Sequence, residues 1–423
     1  MSDLRTRLRS LRAATRPVVR PAELPPTPEG SRTLDEGDLH ETPLGASYFL
    51  RTLHPPDTTH GEGILDQWLT QNLAAAAVFT RDPRLATVDP RRCLFLDTET
   101  TGLNAGAGTL VFLVGVGLFT DDGFEVRQYF LRDPAEEPAM LHAIRDLMEH
   151  YEALVTFNGR SFDVPLLSMR YTLNRQRLNG ERWPNLDLLF PARRLWKRRL
   201  ESCRLSSLER AILGVQRTGQ DVPGWLIPQL YQEYLQTGDA RQMRRVMYHN
   251  LLDVLSMVTL ATTLCDTFTR SDMALPHDDL LSLARWYEQL NMTEQAENTF
   301  WAALKAARHD AQHIACLEGL AAMLKRQDRH SDAEPLWEAL ATLSPLDSAP
   351  RIELAKYHEW TTGDFSLAIS WTEAAVQANA ARPRSFEQQG VQIELNKRLE
   401  RLQRKYHKRL DQSGSHPNHH DEQ

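Results

Sequence analysis

Apolar and polar positions divide the middle of the chain into short blocks of strand and helix length. RCLFLDTE (92–99) opens as an apolar run and then breaks into Asp97, Thr98 and Glu99. TLVFLVGVGLFT (109–120) is apolar along nearly its whole length, and FEVRQYFL (124–131) follows after Asp121-Asp122-Gly123. Asp-Gly between two such runs predicts a hairpin. PAEEPAMLHAIRDLMEHY (134–151) has helical spacing and acids in its first turn, where they suit the positive end of the helix dipole. EALVTFNG (152–159) predicts a fourth strand, SFDVPLLSMRYTLNRQ (161–176) a second helix and NLDLLF (185–190) a fifth strand. Three successive strands followed by alternating helix and strand predict an α/β sheet with an antiparallel edge.

The flanking patterns differ. Residues 1–45, with RPAELPPTPEG at their centre, keep neither period and predict a disordered basic, Pro-rich arm. Residues 46–90 read as a lead-in segment with one helix at GILDQWLTQNLAAAAVF. Residues 191–275 are mostly helical in pattern and complete a domain over 91–275. Beyond Pro276 the chain repeats itself. Ala284, Ala321 and Ala355 recur together with Ala296, Ala333 and Ala368, and with Trp301, Trp337 and Trp371. A period near ~34 residues with small residues at helix crossings resembles tetratricopeptide repeats, so residues 277–380 are expected to stack as an all-α repeat domain, with the tryptophans in its core. Residues 381–423 predict a basic helix and a disordered tail.

Composition narrows the class. The 423 residues are 41% hydrophobic and 25% charged, as in a globular protein of two or three domains. The N-terminus lacks the apolar core of a secretory signal, and no uninterrupted apolar run approaches the ~20 residues of a membrane span. Four scattered cysteines form no CxxC pair, which argues against a zinc or disulfide framework and for a reducing, cytoplasmic setting. The net charge of −7 excludes a polycation, although residues 1–20 carry six arginines against one acid. Such an arm is a candidate nucleic-acid contact or a solvated tail.

The candidate chemistry starts at Asp97 and Glu99. Residues i and i+2 of a strand share a face, so both carboxylates converge at the strand's C-terminal end. At that distance they repel unless a cation lies between them, and hard divalent ions such as Mg²⁺ or Mn²⁺ fit oxygen donors. Gly102, at the start of GLNAGAG, allows close approach of a substrate backbone. Asp163 lies in FNGRSFD, after a strand and at the start of a helix. Asp253 lies on a helix in YHNLLDVLSM, with His249 four residues before it on the same face and Asn250 within reach. Asp187 in NLDLLF is a further acid, either at the surface or beside the substrate.

DTETTG, FNGRSFD and HNLLDV resemble, in order and spacing, the three motifs of the DEDD exonucleases. Within that superfamily the chain is most similar to the bacterial YprB-type ribonuclease H-like proteins, over roughly residues 90–265. The resemblance implies a ribonuclease H-like mixed sheet flanked by helices. It implies that Asp97, Glu99, Asp163 and Asp253 hold two Mg²⁺ or Mn²⁺ ions for phosphodiester hydrolysis, typically from a 3′ end. Thr98, Gly102, Leu103, Asn158 and Phe162, in or beside the motifs, would contact nucleic acid. One position departs from the pattern. The superfamily places Tyr four residues, or His five residues, before the last Asp, whereas here His249 is four before it and Tyr248 five. His249 is the expected base because it shares a helical face with Asp253 and an unperturbed imidazole titrates near ~6.5.

Arg194, Lys197 and Arg198 surround Trp196 in a basic stretch that suits phosphate contacts and base stacking equally well as a solvated helix face. The resulting expectation is a 3′-5′ exonuclease acting on single strands or ends of DNA or RNA, with repeats that hold a protein partner. The rival readings are a non-catalytic nucleic-acid adaptor and a repeat scaffold.

Overall fold

The computed structural model describes residues 29–102, 106, 108–269 and 274–413. These form two compact units, one of residues up to 193 together with 202–271, the other of residues 194–201 together with those from 272 onward. The N-terminal 28 residues, including the arginine-rich stretch, lie outside the described residues, as does Leu103.

The first unit is built on a seven-stranded sheet. Its strands are β1 (Asp38–Thr42), β2 (Gly45–His54), β3 (Cys93–Thr100), β4 (Val111–Thr120), β5 (Gly123–Phe130), β6 (Ala153–Thr156) and β7 (Asn185–Asp187), in the order β1-β2-β5-β4-β3-β6-β7. Pairing is antiparallel from β1 to β3 and parallel from β3 through β6 to β7. This is the α/β sheet with an antiparallel edge that the apolar blocks predict, and the mixed ribonuclease H-like sheet that the motif resemblance implies. The C-terminal ends of β3, β6 and β7 therefore lie along one edge, which is where parallel sheets present functional loops.

Two expectations are corrected here. The arm over residues 1–45 contains β1, and the lead-in segment over 46–90 contributes β2, which pairs with β5 from Phe49↔Tyr129 to His54↔Phe124. Neither strand shows in the sequence because β1 is a largely exposed edge strand and β2, although paired on both sides, alternates only weakly. The helix predicted from Gly63 is a 3-10 turn, Leu65–Thr70, followed after a break by α1 (Ala74–Thr80). In the β4–β5 hairpin the two turn residues are Asp121 and Asp122, with Gly123 paired to Thr120. Gly123 takes φ 130°, and a Cβ there would stand 2.2 Å from the His54 carbonyl oxygen, so only glycine lets β2 close on β5.

Helices α2 (Glu137–Met148), α3 (Asp163–Leu173), α4 (Leu189–Trp196), α5 (Ile227–Thr237) and α6 (Arg241–Thr269) complete the layers. A helical turn at Leu205–Leu208 runs into a π turn at Glu209–Leu213. Helix α2 packs over β2 and β5, and α6 lies across β3, β4 and β5. α6 is long and apolar enough to cross a bilayer, but 72% of its most apolar window is buried inside the fold, as befits a core helix. It comes close to the sheet over two glycines of β4. A Cβ at Gly115 would stand 2.1 Å from the Asn250 amide oxygen, and one at Gly117 2.7 Å from a Val254 methyl.

The second unit is helical: α7 (His277–Gln289), α8 (Thr293–Ala306), α9 (Asp310–Arg326), α10 (His330–Leu343), α11 (Ala349–Tyr357), α12 (Phe365–Ala380) and α13 (Phe386–Ser413). Each helix packs on the next, and the π turn His358–Thr362 joins α11 to α12. The six periodic alanines are all buried. The tryptophans are not a uniform core: Trp337 is buried, Trp371 half-buried and Trp301 45% exposed. The basic stretch is also placed differently from the expected domain over 91–275. Residues 194–201 group with this unit because Trp196 is buried and Arg199 makes a bidentate pair, at 2.9 and 2.8 Å, with the buried Asp279 of α7.

Candidate active site

The C-terminal half of β3 carries Asp97 and Glu99, and the strand ends in a register shift against β4 at Glu99/Thr100. Asp97 lies opposite Gly115, and the missing side chain of that glycine admits Asn250 from α6. Asn250 donates to Asp97 Oδ2 at 2.8 Å and is itself oriented by Gln128, whose Nε2 donates to Asn250 Oδ1 at 2.9 Å. Thr98, on the other face of the strand, donates from Oγ1 to Asp163 Oδ1.

Asp163 opens α3, and the loop that delivers it is held by Asp187. This buried carboxylate accepts hydrogen bonds from the backbone N–H groups of Asn158 (2.8 Å), Arg160 (3.0 Å) and Leu189 (3.1 Å). Asn158 occupies the left-handed region, φ 67°, to make the turn. Asp187 is thus engaged in loop geometry rather than placed at the surface. Phe162 is half-buried and packs on the core, and Gly102 accepts from Thr100 Oγ1 at 2.7 Å through its carbonyl.

Helix α6 brings His249 and Asp253 to the same place, with Nε2 and Oδ2 3.5 Å apart. One donor atom each from Glu99, His249 and Asp253 lies within 4.8 Å of the others. The structure therefore assembles Asp97, Glu99, Asp163, His249 and Asp253, along with Thr98. Tyr248 points elsewhere: its hydroxyl is 3.2 Å from Thr218 Oγ1, and it lines a separate cavity of about 580 Å³ with Arg241, Arg244 and Arg245. Arg194, Lys197 and Arg198 are not part of this cluster; they belong to the helical unit, where Arg194 hydrogen-bonds Gln289.

Three residues of the site were not singled out by any sequence pattern. Arg217 donates two hydrogen bonds to Glu209, at 2.7 and 2.6 Å, and a further one to Asp253. Glu209 also accepts from Ser256 Oγ at 2.7 Å, and Ser256 is 2.8 Å from His60 Nε2. Asp221 Oδ1 lies 2.7 Å from His249 Nδ1. They come from the irregular segment 209–221, where no periodicity marks a residue that points inward.

Electrostatics follows from this crowding. Burial pushes Asp97 well up from the carboxylate range, and Asp253 and Asp163 add to it. Burial does the same to Glu99, reinforced by Asp97, Asp253 and Asp163. Asp163 is pushed up to about 6, chiefly by burial, with the Thr98 hydrogen bond opposing. Asp253 is raised by burial against the pull of His249 and Arg217. Burial disfavours the charged form of His249, but Asp253 and the Asp221 hydrogen bond outweigh it, and its pKa is raised. Four carboxylates face one guanidinium, an excess of negative charge that calls for a further cation. The donors are hard oxygens and one imidazole, a set that fits Mg²⁺ or Mn²⁺.

The RNase_H superfamily profile matches residues 94–265. The chain is 33% identical to YprB of Bacillus subtilis (strain 168) over 316 residues, 74% of this chain and 74% of that one. A solved structure of the family B DNA polymerase from the hyperthermophilic archaeon Pyrobaculum calidifontis aligns with a TM-score of 0.33 and 18% identity, over 56% of this chain and 29% of the polymerase chain.

Proposed function

Since the chain belongs to the RNase_H superfamily together with its YprB relative, we propose that it is a metal-dependent nuclease of DEDD type, hydrolysing phosphodiester bonds from 3′ ends or along single strands. The observation that carries this reading is the convergence of Glu99, His249 and Asp253 within 4.8 Å at the end of β3, beside Asp97 and Asp163. Asp97, Glu99, Asp163 and Asp253 would hold two Mg²⁺ or Mn²⁺ ions, which supply Lewis-acid stabilisation of the charge that develops on phosphate and leaving oxygen.

The chain's own residues do the rest. Asp221 is a carboxylate and can only accept, so its 2.7 Å contact places the proton of the neutral imidazole on His249 Nδ1. That tautomer leaves the Nε2 lone pair on the side of Asp253 and Glu99, in position to take a proton from an attacking water. Asn250 and Gln128 fix the rotamer of Asp97, and Thr98 fixes that of Asp163. The helical unit, with its stacked alanines, is proposed to hold a protein partner or a second stretch of nucleic acid.

A second reading, a nucleic-acid-binding adaptor, is favoured by the Arg217–Asp253 pair, which already braces the site with an internal cation. The deciding experiment uses end-labelled DNA and RNA, single-stranded and duplex, with free and blocked 3′ ends, in Mg²⁺ and Mn²⁺. A ladder from free 3′ ends that disappears in Asp97→Ala and Asp253→Ala is the expected result. Binding without metal-dependent cleavage establishes the adaptor instead.

A further inference from the structure

Trp225 is 60% exposed, an unusual setting for an indole. It lies in the 3-10 turn Gly224–Leu226, and mobility does not account for its exposure. Val222, Leu226 and Ile227 on either side are buried in the core, Pro223 restricts the entry to the turn, and Leu226 N–H closes it on the Pro223 carbonyl at 2.9 Å. The turn is also fixed to the candidate base. Asp221 hydrogen-bonds His249 Nδ1 at 2.7 Å, and a methyl carbon added at Gly224 would stand 3.9 Å from His249 Nε2. The segment thus holds the imidazole through Asp221, passes close to it at Gly224 and then displays a large aromatic face on the next residue, one peptide or ~3.8 Å along the backbone.

We propose that Trp225 is a stacking platform for a nucleobase of the strand engaged at the acidic cluster. This inference rests on the nuclease reading and adds how the substrate is held. A strand whose phosphodiester lies at His249 and Asp253 carries its bases beside that residue, and an unpaired base offers a π face that an indole covers without reading sequence. Nucleic acid with frayed or single-stranded ends is therefore the substrate class. A duplex end, whose bases are already stacked, must open first.

The test uses a single-stranded oligodeoxynucleotide with 2-aminopurine at its 3′ end, with Ca²⁺ for binding and Mn²⁺ for cleavage. The same strand ending in an abasic residue is the reference. Wild type and Trp225→Phe should quench 2-aminopurine on binding, and Trp225→Ala should not. Trp225→Ala should weaken binding of the natural strand by about 5- to 150-fold, and KM should rise by more than kcat falls. On the abasic-ended strand that loss should vanish. Unchanged quenching and affinity in Trp225→Ala, or an equal loss on both strands, overturns the platform while leaving cleavage by wild type intact. If wild type neither binds nor cuts any strand, the nuclease reading fails and the platform fails with it.

Discussion

Asp163→Asn should stabilise the metal-free protein at neutral and alkaline pH. In the fold Asp163 is 5% exposed and ionises at about 6, against an ordinary 3.8. The native state therefore holds this proton more tightly than the unfolded chain. Below about pH 4 both states are protonated and the group contributes nothing. As pH rises through the window from about 4 to about 6 the native state loses stability, and above about 6 the whole penalty is present. At ~1.36 kcal/mol per pH unit that penalty is ~3 kcal/mol. Asparagine removes the charge and keeps an Oδ1 to accept from Thr98, but a backbone N–H that pairs with the carboxylate loses its acceptor, at about 1 kcal/mol. The net gain is about 2 kcal/mol, which for a domain of this size corresponds to a rise of roughly 4–8 °C. The assay is thermal unfolding followed by circular dichroism in EDTA at pH 8 and pH 4, then with Mn²⁺ at pH 8. The variant should be the more stable at pH 8, slightly less stable than wild type at pH 4, where only the lost acceptor counts, and raised less than wild type by Mn²⁺. A variant that is less stable at pH 8, or a difference that does not change with pH, refutes the repulsion argument.

His249→Ala should lower the cleavage rate by roughly 10²- to 10⁴-fold and Tyr248→Phe by far less; the reverse ranking in single-turnover kinetics assigns the base to Tyr248. Asp221→Asn removes a group that holds the His249 pKa up, so the acid limb of the kcat profile should move to lower pH, and a stationary limb means that His249 does not set it. Arg217→Met strands Glu209, whose side chain is 1% exposed, and should cost about 3–5 kcal/mol in urea unfolding. Part of that loss should be recovered in the Glu209→Gln/Arg217→Met double variant, and simple additivity would deny that the two residues act as a pair.

Much of this arrangement was legible because the relevant residues sit on regular elements. The i, i+2 rule of a strand joins Asp97 to Glu99, and the i, i+4 rule of a helix joins His249 to Asp253. The periodic alanines mark the buried positions of the helical unit. What stayed hidden lies where no period operates. Arg217 and Asp221 are inward-pointing residues of an irregular segment, β1 is an exposed edge strand, and β2 alternates too weakly to show an apolar face. The basic stretch at 193–199 stays ambiguous for a different reason: a guanidinium that pairs with a buried acid reads, in one dimension, like one that awaits a phosphate. Arg199 with Asp279 is such a case.

The hairpin of β1 and β2 has a practical consequence for anyone who trims the chain. The three acidic motifs begin at residue 97, yet the hydrogen-bonding rim of β5 is capped by residues 49–54, more than forty positions upstream. A fragment that begins where the recognisable motifs begin would leave that rim as a bare row of amides and carbonyls, ready to recruit another molecule's strand. The smallest well-behaved piece of the sheet-bearing unit therefore has to start ahead of residue 38.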